Sequence, residues 1–325
     1  MKKLLALLAL VPASALTTSA LAQQIAVDGS STVYPISLAM AEEFQIENPD
    51  AQVTVGFAGT GGGFERFCAG ETQLSDASRV VEDDEIAACE AADISFIELP
   101  IAADALTVVV NPKNDFVECL TTDELNKIWS ADGGVTTWAD VNPDWPAEPI
   151  ELYGPGVDSG TFDYFNEAII GDDGEIRQDF SPSEDDNILV QGVQGNQYAL
   201  GFFGYAYYAE NPDTLKAVEI DGGNGCVAPS AETVVDASYE PLSRPLFIYV
   251  SQDAVDSTPA IQDFVDFYLN ADNRELISDT GYVTYDDGIY EAVQGRFDDR
   301  VTGSAFGDFK PGDSVLEAVQ KAEEN

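Results

Sequence analysis

The chain has 325 residues, 59 acidic against 14 basic, for a formal net charge of −45, and contains no histidine. Nucleic acid and anionic membranes are thereby excluded as expected partners, since both are polyanions. The missing imidazole removes the commonest general base, the usual zinc ligand and any Ser–His arrangement, while 45% hydrophobic content is normal for a chain with packed cores.

Lys2 and Lys3, the apolar run Leu4–Val11 and the small-residue site Ala20-Leu21-Ala22 form a secretory signal pattern, with cleavage expected after Ala22. The mature chain is expected in a periplasm. Roughly 300 residues then remain, enough for one large domain or two ordinary ones. So acidic a surface suits high salt, where screening shortens self-repulsion to about 3 Å at 1 M; a halophilic, salt-adapted source is inferred. The four cysteines Cys68, Cys89, Cys119 and Cys226 suggest two disulfides in an exported chain. Three connectivities are open. Cys68–Cys89 with Cys119–Cys226 is favoured because each pair then stays within one half of the chain. Their wide spacing does not resemble a zinc site, and neither metal nor cofactor is expected.

In chain order, Ile25–Val27 reads as a strand, followed by the turn Asp28-Gly29-Ser30-Ser31-Thr32 and a helix over 35–47, with Pro35 in its first turn. Val53, Val55 and Phe57 alternate as a strand; Gly59-Thr60-Gly61-Gly62-Gly63 is a turn before a helix over 64–69. Leu74 to Arg79 repeats the logic, with a helix over 82–91. Two strands are expected over 94–101 and 106–110, the latter a buried crossing. Thr121 or Thr122 caps a helix to Trp129, and 132–149 is a loop in which Trp138 and Trp145 read as packing anchors. Ile150–Tyr153 is a strand, Gly154–Phe165 (GPGVDSGTFDYF) a Gly-rich turn entering a helix. Tyr198–Tyr208 reads as a core strand turning into a helix. Pro245–Val250 is a continuous apolar run, read as the return crossing, and helices follow to the tail. Two α/β lobes joined by two strand crossings result: 23–105 with 245–325, and 106–244. A ligand is expected in the cleft between them.

Four strand-to-helix turns supply hydroxyls and backbone N–H groups: Ser30–Thr32, Thr60–Gly63, Ser78–Arg79 and Asp158–Thr161. Helix starts and Gly-rich turns suit a small oxyanion. Asp158 or Ser159 could equally cap the helix that follows. Arg79 is the only cation in these turns, with Arg66 one helical turn beyond the second.

These stretches resemble the PstS family of periplasmic phosphate-binding proteins, especially its SphX-like branch. The residues that carry the likeness are Asp28-Gly29-Ser30-Ser31-Thr32-Val33-Tyr34-Pro35, GFAGTGGGFERFCAGET from Gly56, Ala77-Ser78-Arg79, GPGVDSGTFDYF, and ALGFFGYAYY from Ala199. The resemblance implies a type II periplasmic-binding fold, a binding protein rather than an enzyme, capture of inorganic phosphate in the cleft, and delivery to the permease of an ABC transporter by a monomer. Carried across, the ligand positions are Ser31, Thr32, Val33, Thr60, Gly61, Ser78 and Arg79 on one lobe, and Ser159, Gly160 and Thr161 on the other. Pro155 stands where many relatives have an arginine, and Arg79 where some have an aspartate. The positive charge is therefore expected from Arg79 across the cleft. A carboxylate that accepts the P–OH proton and repels sulfate is expected at Asp158, with Asp76 as the other candidate. The rival readings are a binder of sulfate, molybdate or arsenate, and a secreted phosphatase.

Overall fold

The computed structural model of the chain describes residues 23–157, 159–171, 174–183, 185–310 and 313–323. The expected signal segment and Asp158 lie outside the described residues. Strand Gln23–Gly29 pairs in parallel with Ala51–Val55 on one side and with Leu74–Ala77 on the other. Parallel neighbours need crossovers, and helices Tyr34–Glu47 and Thr60–Cys68 supply them. The second helix starts at Thr60 rather than near Phe64, so Gly61, Gly62 and Gly63 form its first turn. Close approach is the reason: a β-carbon on Gly63 would stand 2.5 Å from Gly29 Cα and 3.0 Å from Asp28 O. Only a residue without one lets the helix press so near the strand.

The two strands expected over 94–101 and 106–110 are one buried strand, Phe96–Val110. Small residues and Asp104 interrupt the apolar pattern between them, but the backbone there continues a ladder. Ser243–Ser251 runs antiparallel to it from Ser243 opposite Ala105 to Ser251 opposite Phe96, with an irregularity at Leu246/Phe247. From Leu106 onward, Phe96–Val110 instead pairs with Ala199–Gly204. The mixed sheet therefore runs Ala51–Val55, Gln23–Gly29, Leu74–Ala77, Ser243–Ser251, Phe96–Val110, Ala199–Gly204, Glu151–Gly154, Ser181–Pro182.

Two large apolar clusters pack on this sheet. One collects buried residues from Ile25 to Ala105, from Leu246 to Val319, and Val234; the other runs from Leu106 to Leu242. The change of cluster at Ala105/Leu106 coincides with the change of ladder partner. In the second cluster Phe165 stacks on Phe202 at 3.8 Å, and Trp129 meets both rings edge-on. Trp138 is buried and donates to Tyr198 O, and Trp145 packs against it, so both indoles are packing anchors. Cys68–Cys89 ties helix Thr60–Cys68 to Asp83–Ala91, and Cys119–Cys226 joins the outer strands of a three-stranded sheet. Among the described residues, no helix is long and apolar enough to cross a membrane.

Candidate functional site

The turns that end Gln23–Gly29, Ala51–Val55 and Leu74–Ala77 all emerge at the carboxyl end of a parallel group, where Gly-rich turns and helix starts converge. Asp28 organises them. Its Oδ1 accepts from the N–H groups of Gly29 and Ala58, both at 2.8 Å, and its Oδ2 is paired with Arg66. Gly29 holds φ +146°, and a β-carbon there would lie 2.1 Å from Asp76 O. That clearance lets Ser30 N–H donate to Asp76 O at 2.9 Å and Gly59 N–H donate to Gly29 O at 2.8 Å. The three turns are thus locked together through backbone contacts.

They wall a cavity of about 220 Å³. Of the residues expected from sequence, Ser31, Thr32, Thr60, Gly61, Ser78 and Arg79 line it, joined by Ser30 and Gly59. Thr60 Oγ1 accepts from Ser78 N–H at 3.3 Å and lies 3.2 Å from Ser78 Oγ, which sets both hydroxyls side by side. Val33, Ser159, Gly160 and Thr161 do not line the cavity. Val33 is buried beneath it. Ser159 caps helix Gly160–Phe165, its hydroxyl accepting from Thr161 N–H at 3.2 Å. Gly160 instead abuts Thr32 of the opposite core.

The opposite wall comes from helix Gly160–Phe165 and the π-helical turn Asn166–Ile170, which contribute Asp163, Tyr164 and Glu167. At its floor stands Arg244, which the sequence reading missed. Arg244 is the second residue of strand Ser243–Ser251 and lies opposite Asp104 in the ladder. Its Nε donates to Asp104 Oδ2 at 3.3 Å, Nη1 to Glu167 Oε2 at 3.3 Å and Nη2 to Thr32 Oγ1 at 3.2 Å. The guanidinium lies over the Tyr164 ring, 3.6 Å from its centroid. One side chain thereby touches both cores and the strand between them. A run of apolar residues just after Pro245 was the visible signal; the arginine before it carried no local signature.

The charges around the cavity are not equivalent. Arg79 makes a bidentate pair with Glu85, at 2.9 and 2.8 Å, and a third contact to Glu82 at 3.2 Å. The hydrogen bonds to Glu85 push the Arg79 pKa up. Burial raises the carboxyl of Asp104, against the lowering effect of Arg244. Burial also raises Asp163, with Arg244 lowering it and Glu167 raising it. Burial lifts the Tyr164 phenol above its ordinary value, so it stays protonated and donates to Pro241 O at 2.8 Å.

Asp76 is placed away from the cavity. It is buried on the helix side of the sheet, where Oδ1 accepts from Ser37 Oγ at 2.9 Å and Oδ2 has no hydrogen-bond partner. Ser37 Oγ also lies 3.1 Å from Tyr268 OH.

Residues 14–272 match the PBP superfamily domain. Protein SphX of Synechocystis sp. is 46% identical over 312 residues, covering 95% of this chain and 91% of that protein. Phosphate-binding protein PstS of Staphylococcus saprophyticus is 40% identical over 273 residues, covering 84% of this chain and 83% of that protein. Among solved structures, that of a possible phosphate binding protein from Planctomyces limnophilus shares 46% identity and a TM-score of 0.83, covering 86% of this chain and 99% of that one.

Proposed function

The chain belongs to the PBP superfamily and, within it, to the family of SphX and PstS phosphate-binding proteins; from that premise we propose that it captures inorganic phosphate between its two cores and delivers it to the membrane permease of an ABC transporter. The observation that carries this reading is the cavity itself, where hydroxyls of Ser31, Thr32, Thr60 and Ser78 converge with two guanidinium groups. A dehydrated oxyanion needs many short donors, and charge-assisted ones are the strongest.

In this reading lobe 23–105 with 245–325 offers Ser31, Thr32, Val33 N–H, Thr60, Gly61, Ser78 and Arg79. Lobe 106–244 brings Ser159, Gly160 and Thr161 as the second jaw, and closure is a hinge motion about the two crossings. Asp158 is assigned the P–OH proton; Asp76, turned toward Ser37 and buried, is the weaker candidate. An acceptor of this kind admits a protonated oxyanion and disfavours sulfate, which has no proton to give. The protein acts as a monomer in the periplasm after cleavage behind Ala22, and it is a binder rather than an enzyme.

Titration calorimetry with phosphate, arsenate, sulfate and molybdate tests the reading. Phosphate is expected to bind and sulfate not. Sulfate or molybdate binding in preference to phosphate would overturn the ligand assignment, and turnover of a chromogenic phosphate ester would overturn the assignment as a binder.

A further inference from the structure

Two arginines reach the cavity, and their surroundings differ in a way that assigns them different work. Arg79 is held by Glu85 through two short parallel bonds and by Glu82 through a third contact. Glu85 also accepts from Glu82 N–H as part of the capping box that starts helix Asp83–Ala91. Moving it would cost both a bidentate pair and a helix cap. Two carboxylates therefore already answer one guanidinium, one within the helix that Arg79 precedes and one at its N-cap.

Arg244 is held more loosely. Its contacts to Asp104, Glu167 and Thr32 are single and 3.2–3.3 Å long, beyond the range of about 2.7–2.9 Å typical of charge-assisted bonds. Asp104 is a buried strand neighbour with no route away. Glu167 differs: its side chain is 63% exposed, on the cavity rim. An exposed ion pair of this kind contributes about 0–1 kcal/mol and is easily exchanged. Tyr164 stacks on the guanidinium and fixes its plane. The bond from Nη2 to Thr32 Oγ1 uses an oxygen lone pair, which leaves the Thr32 hydroxyl proton to donate to an anion. A guanidinium presents five N–H donors in one plane, so the Nη edge can take an oxyanion once Glu167 leaves it.

We propose that Arg244 is the cation that grips the bound anion and that Glu167 is a resident carboxylate, seated on Arg244 until phosphate displaces it. The inference rests on the phosphate reading above and adds a competitor built into the site. Glu167 weakens binding by occupying Arg244, and it returns to Arg244 when phosphate leaves. Asp163, one helical turn before Glu167, also stands at the cavity wall.

Calorimetry with inorganic phosphate on the unaltered protein, Glu167→Gln, Arg244→Gln, Arg244→Lys and the Glu167→Gln/Arg244→Gln double variant tests it, at one NaCl concentration and with circular dichroism confirming the fold. Glu167→Gln is expected to tighten phosphate about fivefold, the scale of an exposed ion pair. Arg244→Gln should weaken binding about 100-fold, and Arg244→Lys by less, because charge survives while the planar fork is lost. In the double variant the gain from Glu167→Gln should vanish, since its target is gone. Unchanged or weaker binding by Glu167→Gln, or the same gain with and without Arg244, would overturn the inference. Glu167 is a rim residue, so its variant reads out even if the Arg244 variants misfold. An unaltered protein that binds no phosphate would instead count against the functional reading itself.

Discussion

Gly160 and Thr32 stand so close that a β-carbon on Gly160 would lie 3.5 Å from both Cα and Oγ1 of Thr32. The two residues belong to opposite walls of the cleft, so this contact measures how far the jaws are shut. One methyl fits at van der Waals distance; a branched side chain does not. Gly160→Ala is expected to keep phosphate affinity within a few-fold, whereas Gly160→Val wedges the jaws and lowers it by about tenfold or more, the scale of modest overpacking. Calorimetry on both variants, with thermal melts as a control, checks this. Full affinity in the valine variant would show that the jaws do not meet at Thr32 when phosphate is held.

Asp76 gives the chain a pH dependence of known sign. Burial, with a smaller contribution from the charge of Asp28, pushes its carboxyl from 3.8 up to about 8, against the lowering effect of the Ser37 hydrogen bond. The folded protein keeps this proton over a range where the unfolded chain has released it. Its stabilising contribution is fully present below about pH 4 and is lost as pH rises through about 8, with a slope of at most about 1.4 kcal/mol per pH unit. Asp76→Asn, which imitates the protonated form, should be more stable than the unaltered protein at pH 8 and close to it at pH 4. Urea unfolding at the two pH values decides; equal pH slopes in both proteins would mean that Asp76 ionises freely in the fold.

The two disulfides should differ in worth. Cys68–Cys89 spans 21 residues of sequence and Cys119–Cys226 spans 107. In the chain-entropy account the longer loop stabilises by about 1.4 kcal/mol more. Replacing each pair by serines and comparing denaturation midpoints tests the ordering. A larger loss from the shorter loop would show that native packing around Cys68 and Cys89, rather than loop entropy, sets the contribution.

The charge of −45 predicts a response to salt in two observables. Screening at high NaCl reduces self-repulsion of the acidic surface, so the unfolding midpoint should rise with NaCl. The same screening relieves repulsion of an incoming anion, while the donors within the cavity act at short range. Phosphate affinity should therefore hold or improve between low and molar NaCl. A steep loss of affinity in a protein that stays folded would point to long-range attraction, which this charge does not provide.

The first wall of the site was legible because its signal is local. Strand, glycine, hydroxyl and helix follow one another within a dozen residues at Ser30 and at Thr60, and strand, hydroxyl and helix do so at Ser78. The glycines concealed the true start of helix Thr60–Cys68, since their tolerance of close packing at Gly63 is a tertiary fact. Arg244 was not legible because its role depends on register with Asp104, 140 positions away, and on Thr32, 212 away. Asp76 lies two residues before Ser78, yet strand Leu74–Ala77 turns it to Ser37 on a neighbouring helix, whose hydroxyl also meets Tyr268. Proximity in sequence named it as a candidate; the direction of one side chain set it apart from the cavity.

Strand Phe96–Val110 has a mechanical consequence. It is the member of the sheet that pairs with Ser243–Ser251 along one stretch and with Ala199–Gly204 along the next, and the exchange falls between Ala105 and Leu106. The backbone leaves one core for the other at this junction and returns between Leu242 and Leu246, so two neighbouring antiparallel strands together carry the connection between the cores. Asp104 sits beside the junction and holds Arg244 by the Nε edge. Arg244 thereby ties the cavity to the pair of strands beside the point where the backbone changes core.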